Sequence, residues 1–478
     1  ANGMGCDSVI ITAASSSFDP INFAGAIARK KAGIIIVGAV PTGFDREPYF
    51  YKKELQVKMS CSYGPGRYDP IYEEKGIDYP YAYVRWTEKR NMQAFQELIH
   101  SGRISLAYLT THCLKLEEAP RAYDMIMDQS EPFIGILIEY DTSKPIRRQP
   151  VPINNIRKKE ALTGIGFIGA GSYAQNHLIP NIPKNSDIRL IGVKTATSAS
   201  SRSVAERYGF EFCTGEEKDI LENPDINTVF IATRHNTHAD FIVQSLTAGK
   251  HVFVEKPICL TPEELAAIKK ACSPDHTLMA GYNRRFSPLT QFIKDHVKNG
   301  PMAMTYRVNA GYIPADSWIQ DKDIGGGRIL GEVCHFVDYL TYINGSMPGS
   351  VYACAMAQPS HPDDVLTVSL SYENGSIGSI SYFANGSKSL PKERVEIFRH
   401  GTTAVLNDFK KVSIYGSGKP KTKKLAVQDK GQKISVQSFL ETIQQGKPGP
   451  IPIAEIFNSA EVCFAIMESL RTRQAVAI

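Results

Sequence analysis

Short apolar runs alternate with helical periodicity along most of this chain, and the kind of run changes twice. Residues 8–13 (SVIITA) and 33–39 (GIIIVGA) are continuous apolar runs, with helical spacing over 20–31 between them. Runs apolar on both faces suit a parallel sheet covered by helices. A stretch rich in Pro, Gly and Tyr follows, around Tyr63-Gly64-Pro65-Gly66-Arg67 and Asp78-Tyr79-Pro80-Tyr81. Helical spacing returns at Met92, Phe95, Leu98 and Ile99, and a helix over 116–127 and a strand over 133–139 complete a first segment, residues 1–141. Residues 142–160 hold three prolines, six basic residues and no periodicity, and read as an exposed linker.

A second α/β unit, residues 161–281, starts with a strand over 164–169 and a helix over 173–179. Strands over 188–193, 228–232, 251–254 and 278–281 follow, with helices over 239–248 and 262–272. That alternation predicts a doubly wound parallel sheet. Beyond Tyr282 the period changes. Alternating strands over 302–309, 350–357, 365–372, 375–383, 394–399 and 402–407 are interleaved with helices over 288–298, around His335 and over 454–471. Glu373-Asn374-Gly375 is a hairpin signal. Residues 282–478 therefore predict a large, mainly antiparallel sheet with one face covered by helices. The expected fold class is α/β: a partial Rossmann-like segment, a Rossmann domain and an α+β domain.

Composition narrows the classes. The 478 residues suggest about three compact units at roughly 100–200 residues each. A net charge of +5 over that length gives no argument for nucleic acid or a membrane surface. Nine cysteines without a C-x-x-C pair suggest neither a disulfide framework nor a metal cluster, so no metal is expected. No apolar run approaches the ~18 residues of a membrane helix, and the opening residues have no secretory pattern, so a cytoplasmic setting is the default expectation. The chain begins without Met and runs almost at once into a strand, which reads as a domain cut rather than begun.

Gly169-Ala170-Gly171-Ser172-Tyr173-Ala174 is G-x-G-x-x-A at the junction of a predicted strand and helix. There the glycines admit a tight turn and the close approach of a pyrophosphate to helix N–H groups. The next strand ends Gly192-Val193-Lys194-Thr195-Ala196-Thr197, with Arg202 shortly after. No acid is available to accept from a ribose 2′-OH, whereas Lys194, Thr195, Thr197 and Arg202 suit a 2′-phosphate; NADP is therefore expected ahead of NAD.

The block Ala232-Thr233-Arg234-His235-Asn236-Thr237-His238, followed by Ala248-Gly249-Lys250-His251-Val252 and Glu255-Lys256-Pro257, resembles the glucose–fructose oxidoreductase / inositol dehydrogenase (Gfo/Idh/MocA) family over about residues 161–478. The resemblance implies that Thr233, Asn236, His238, Glu255 and Lys256 lie along the cofactor. It also implies that Lys256 reaches the substrate hydroxyl beside the nicotinamide, where an ammonium stabilises developing negative charge. Gly325-Gly326-Gly327-Arg328-Ile329-Leu330-Gly331-Glu332-Val333-Cys334-His335 resembles the family's substrate-facing helix. His335 matches its acid/base histidine, with Asp338 one turn on, but the family's acid four residues earlier is Gly331 here. Glu332, at i, i+3 from His335, is the expected substitute, with Asp338 as a second orienting group. Arg284 and Arg285 follow the last Rossmann strand and suit either a substrate carboxylate or phosphate, or structural ion pairs. Asn309, Tyr312 and Trp318 are candidate sugar contacts.

Residues 1–140 resemble the trailing half of the cofactor domain of medium-chain (zinc-type alcohol) dehydrogenases, on Gly5-Cys6-Asp7-Ser8-Val9-Ile10-Ile11-Thr12-Ala13, the GIIIVG strand and Lys53-Glu54-Leu55. Together the resemblances point to two-headed proteins associated with surface polysaccharide synthesis. They imply an NAD(P)-dependent oxidoreductase acting on a secondary alcohol of a sugar or nucleotide sugar, assembled as a homo-oligomer through the C-terminal sheet. The alternatives are a cofactor-bound sensor without turnover, and a lyase or hydrolase that oxidises its substrate transiently.

Overall fold

The computed structural model describes residues 3–143, 150–153, 163–298, 300–356 and 364–478. The chain divides into two compact units, residues 1–145 and 146–478.

In the first unit, strands Cys6–Ile11, Ala28–Ile36 and Gln56–Met59 form a parallel sheet in that order. Ile11, Ile21, Ala24, Ile34, Ile36 and Phe50 make its small core. The helix expected over 20–31 is Asp19–Ile27, and Ala28 already belongs to the strand. Lys53 accounts for this early stop: its Nζ donates to the carbonyls of Gly25, Ala26 and Ala28 at 3.0, 2.7 and 2.8 Å. Orphan carbonyls at the helix end are thereby satisfied. A parallel pair, Thr110–Lys115 with Gly135–Glu139, and helices Glu88–His100 and Ala119–Asp128 complete the unit; the first strand of that pair was not expected from the sequence. Ile10 and Met59 are exposed.

The second unit contains a seven-stranded sheet in the order Leu278–Ala280, His251–Val254, Thr228–Ile231, Thr163–Ile168, Ile188–Lys194, Phe212–Thr214 and Val151–Pro152. All pairs are parallel except the last. The order runs outward in both directions from Thr163–Ile168, so a crevice opens at its C-terminal end. Val151–Pro152 corrects the linker reading, because these residues are an edge strand against Phe212 and Cys213. Residues 144–149 and 154–160 of that expected linker lie outside the described residues.

A nine-stranded sheet follows, in the order Lys421–Lys424, Lys411–Tyr415, Thr402–Asn407, Glu393–Arg399, Ala303–Asn309, Ile377–Phe383, Val365–Tyr372, Pro348–Ala355 and Val476–Ala477. It is mixed: Ala303–Asn309 and Ile377–Phe383 run parallel, and every other pair is antiparallel. Helix Cys334–Asn344 is buried along nearly its whole length, so its polar side chains must find partners inside the protein. Helix Ile453–Thr472 packs on it and on the sheet. None of the described helices is long and apolar enough to cross a membrane.

Candidate active site

The crevice at the switch point begins with the glycine turn. Gly169 has φ +85°, and a Cβ there would meet the Ala232 carbonyl oxygen at 2.6 Å, so only glycine fits. A Cβ on Gly171 would meet nothing within 4 Å, which leaves room for a pyrophosphate. Ser172 and Tyr173 lead into a π-wound turn, Ala174–Leu178, with the Ala174 side chain fully buried beneath. The Tyr173 hydroxyl lies by the buried Glu255 carboxyl, whose pKa burial pushes up to about 7. These features fit a nicotinamide dinucleotide, which would lie from the glycine turn toward Glu255 and Lys256.

At the adenosine end, a cleft of about 750 Å³ is lined by Lys194, Thr195, Ser198, Ser201, Arg202 and Glu216, among others. The expected 2′-phosphate ligands are already engaged. Lys194 pairs with Glu217, and Arg202 Nε lies 2.8 Å from Glu206 one turn away. Thr197 Oγ1 accepts from the Ser200 N–H at 3.2 Å to cap helix Ser198–Tyr208, and Thr195 Oγ1 donates to the Thr197 carbonyl at 3.0 Å.

The loop after Thr228–Ile231 carries both histidines. His238 is fully buried, with Nδ1 2.7 Å from the Pro257 carbonyl and Nε2 3.2 Å from the Thr233 carbonyl. It ties this loop to the Glu255-Lys256-Pro257 turn rather than lining the cofactor cleft. Burial pushes its pKa down to about 4, against the upward pull of the two carbonyls. Thr233 Oγ1 is engaged with Thr237 Oγ1 at 2.7 Å, and the Asn236 side chain is exposed. His235 Nδ1 lies 2.7 Å from the Gly325 carbonyl, and Trp318 meets the ring edge-on at 4.9 Å between centroids. Burial first, then the Lys256 ammonium, push the His235 pKa down to about 3.

Lys256 Nζ donates to the carbonyl of Gly331 at 2.6 Å. This places the lysine on the turn that leads into the helix of His335. His335 is buried, and its Nδ1 has no hydrogen-bond partner among the described residues. Burial, then Arg284, Lys256, Lys392 and Lys430, hold its pKa well below the usual range.

The partners expected for His335 are occupied elsewhere. Glu332 Oε2 accepts from Tyr382 Oη at 2.5 Å and Arg328 Nη2 at 3.5 Å, and Oε1 from Lys392 Nζ at 3.4 Å. Asp338 is bound by Arg285 through both oxygens, Nε to Oδ2 at 3.1 Å, and Arg285 Nη1 also reaches Glu455 at 2.8 Å. Arg284 grips Glu393 at 2.7 and 3.1 Å, where Lys430 and Tyr306 also converge. Of the two readings left open for the arginines, the structure therefore realises the ion pairs, and Asp338 is committed to Arg285 rather than to His335. The reason is burial: a charge taken out of water needs a paired opposite charge.

Asn309 is also structural, donating to the carbonyls of Ser387 and Leu390 at 2.7 and 3.0 Å and pinning the loop before strand Glu393–Arg399. Tyr312 is exposed and borders a cleft of about 500 Å³ with Asn309, Lys388, Lys392 and Lys410. Sequence reasoning passed over Arg328, Tyr382 and Lys392. Arg328 carried a signal, since it stands at i, i+4 from Glu332, whereas the other two come from distant strands and loops and left none.

Comparison with known proteins gives the family. Residues 163–282 match the family profile described as oxidoreductase family, NAD-binding Rossmann fold, and residues 300–478 the one described as oxidoreductase family, C-terminal alpha/beta domain. The chain is 31% identical over 251 residues to the uncharacterized oxidoreductase YrbE of Bacillus subtilis (strain 168), covering 50% of this chain and 72% of that protein. It is 26% identical over 244 residues to the myo-inositol 2-dehydrogenase of Thermotoga maritima, covering 49% and 72%. Among solved structures, levoglucosan dehydrogenase in complex with NADH and L-sorbose shares the fold with a TM-score of 0.60 at 22% identity, over 66% of this chain and 98% of that one. The chain thus belongs to the Gfo/Idh/MocA family of NAD-binding oxidoreductases.

Proposed function

We propose that the chain is a dehydrogenase that moves hydride between a nicotinamide cofactor and a secondary alcohol of a sugar or polyol. The observation that carries this reading is the 2.6 Å contact of Lys256 Nζ with the Gly331 carbonyl, which draws the lysine onto the approach to His335. A nicotinamide held at the turn of Gly169 and Gly171 would supply the hydride acceptor or donor. Lys256 donates a hydrogen bond to the carbinol oxygen and stabilises its negative charge as the C–H bond breaks. His335, held neutral, faces the same oxygen as a proton acceptor.

Two finer readings rest on the clefts. Lys388 and Lys410 have no ion pair among the described residues, and with Lys392 they suit the phosphates of a nucleotide sugar. The cleft beside Lys194 and Arg202 supports NADP, although both cations must leave their carboxylates to hold a 2′-phosphate. We also read the first unit as medium-chain dehydrogenase-like, on its parallel strand–helix–strand order.

The experiment is to denature the purified protein, identify any released nicotinamide, and then screen polyols and nucleotide sugars for cofactor reduction. Turnover of a polyol or sugar supports the dehydrogenase. Tight cofactor binding without turnover of any of them would favour the sensor.

A further inference from the structure

Gly331 stands where the family resemblance places an acid, and the space that a side chain there would enter is occupied. A Cβ on Gly331 would meet Cε1 of His235 at 3.3 Å and Nδ1 at 3.7 Å. His235 reaches this spot from the loop after strand Thr228–Ile231, 90 or more residues earlier, and its Nδ1 is anchored 2.7 Å from the Gly325 carbonyl. A carbonyl only accepts, so Nδ1 carries the proton and Nε2 keeps its lone pair. The edge-on packing of Trp318 restrains the ring, and little of it is open to solvent.

The polar groups around this spot are arranged about Gly331. Lys256 holds the carbonyl of Gly331 itself, so the ammonium and the imidazole border the same residue. His335, one turn further on, has a buried Nδ1 without a partner among the described residues. Glu332, the nearest acid on that turn, is drawn to Tyr382, Lys392 and Arg328. Position 331 therefore carries no acid, and a histidine from another element fills the volume that a side chain there would use.

We propose that His235 is a substrate-binding residue of the hydride-transfer site, its Nε2 accepting a hydrogen bond from a substrate hydroxyl in place of a carboxylate at position 331. The inference rests on the dehydrogenase reading above. Its chemical consequence concerns charge. A carboxylate would accept the same hydrogen bond but would also neutralise Lys256, whereas a neutral imidazole leaves the full ammonium charge for the carbinol oxygen. A deletion and a transplant follow from the geometry. His235→Asn keeps a donor for the Gly325 carbonyl and removes the Nε2 acceptor. His235→Ala opens the volume into which an Asp at 331 projects.

The test uses the full chain with saturating NADH, and myo-inositol and UDP-glucose as probe substrates, with binding followed by calorimetry. His235→Asn and His235→Ala are expected to weaken binding of whichever substrate the parent takes by roughly five- to tenfold, the loss of one hydrogen bond, with NADH affinity kept within about twofold. Gly331→Asp alone is expected to bind worse than the parent because its Cβ crowds His235. The pair His235→Ala with Gly331→Asp is expected to recover most of the loss, a non-additivity that signals shared space. Nitrogen NMR of the histidine-labelled parent should show His235 neutral with the proton on Nδ1, and an Nε2 signal that moves when substrate is added. Unchanged binding in His235→Asn, additive effects in the pair, or a proton on Nε2 would each overturn the proposal while leaving the dehydrogenase reading intact. A parent that binds NADH but neither probe substrate would overturn that reading and this proposal with it.

Discussion

Lys256 Nζ lies 2.6 Å from the carbonyl oxygen of Gly331, joining the turn after Rossmann strand His251–Val254 to the helix that carries His335. A backbone carbonyl is a neutral partner, so it orients the ammonium without cancelling its charge.

Replacing this lysine isolates its role. Lys256→Ala is expected to lower kcat by roughly 10²–10³, the cost of removing one donor to a developing oxyanion, while NADH affinity changes little. Single-turnover kinetics beside NADH titration would check this, and a variant with near-parental kcat would contradict the assignment.

Glu255 predicts a pH dependence of stability. Its pKa is about 7 in the folded chain because of burial, against 4.5 for an ordinary glutamate. Between those two values the native state binds the proton more tightly than the unfolded chain, so stability falls as pH rises through this window. Glu255→Gln should remove that slope and be the more stable form at pH 8, by up to about 3 kcal/mol. Denaturant melts at pH 5 and pH 8 would show it, and parallel curves for parent and variant would refute it.

The buried Arg285–Asp338 pair has a structural signature. Asp338→Ala leaves a guanidinium that is 2% exposed with Glu455 as its remaining carboxylate partner among the described residues, and is expected to cost about 3–5 kcal/mol of unfolding free energy. Were Asp338 instead an orienting group for His335, the variant would keep its thermal stability and lose only kcat.

At the cofactor's adenosine end, Glu217 competes for Lys194, whose ammonium holds the Glu217 carboxyl below the usual range. Glu217→Gln should free Lys194 and raise NADPH affinity relative to NADH by about three- to tenfold. Calorimetry with both cofactors decides it; an unchanged ratio would remove Lys194 from the 2′-phosphate assignment.

Truncation tests where the dehydrogenase begins. A chain starting at Ile146 keeps strand Val151–Pro152 on Phe212–Thr214 and is expected to bind NADH as the full chain does. One starting at Ile153 loses that edge strand and should melt earlier in a thermal scan. Failure of the longer truncation to bind NADH would place part of the cofactor site in residues 1–145.

Much of this molecule is written locally. The glycine turn was legible because only glycine tolerates the backbone of residue 169 and its approach to Ala232, a constraint carried by one position. The strands at 163–168, 228–231 and 251–254 were legible because side chains buried on both faces leave an unbroken apolar run. By contrast, the short strand Lys411–Tyr415 and the edge strand Lys421–Lys424 went unread, the latter because it is exposed and lysine-rich. The nine-stranded sheet also hid its one parallel pair, since the alternating pattern of a strand does not tell the direction of its neighbour.

What the sequence by itself determined was the strand–helix alternation of the Rossmann domain and its glycine turn, because periodicity and motif spacing are properties of neighbouring residues. The tertiary structure alone decided which charges meet. Arg285 finds Asp338 53 residues away and Glu455 170 away, Arg284 finds Glu393 at 109, and His235 comes to rest against Gly331. A buried charge takes whatever opposite partner the packed core brings within reach, and nothing in the spacing along the chain records that choice.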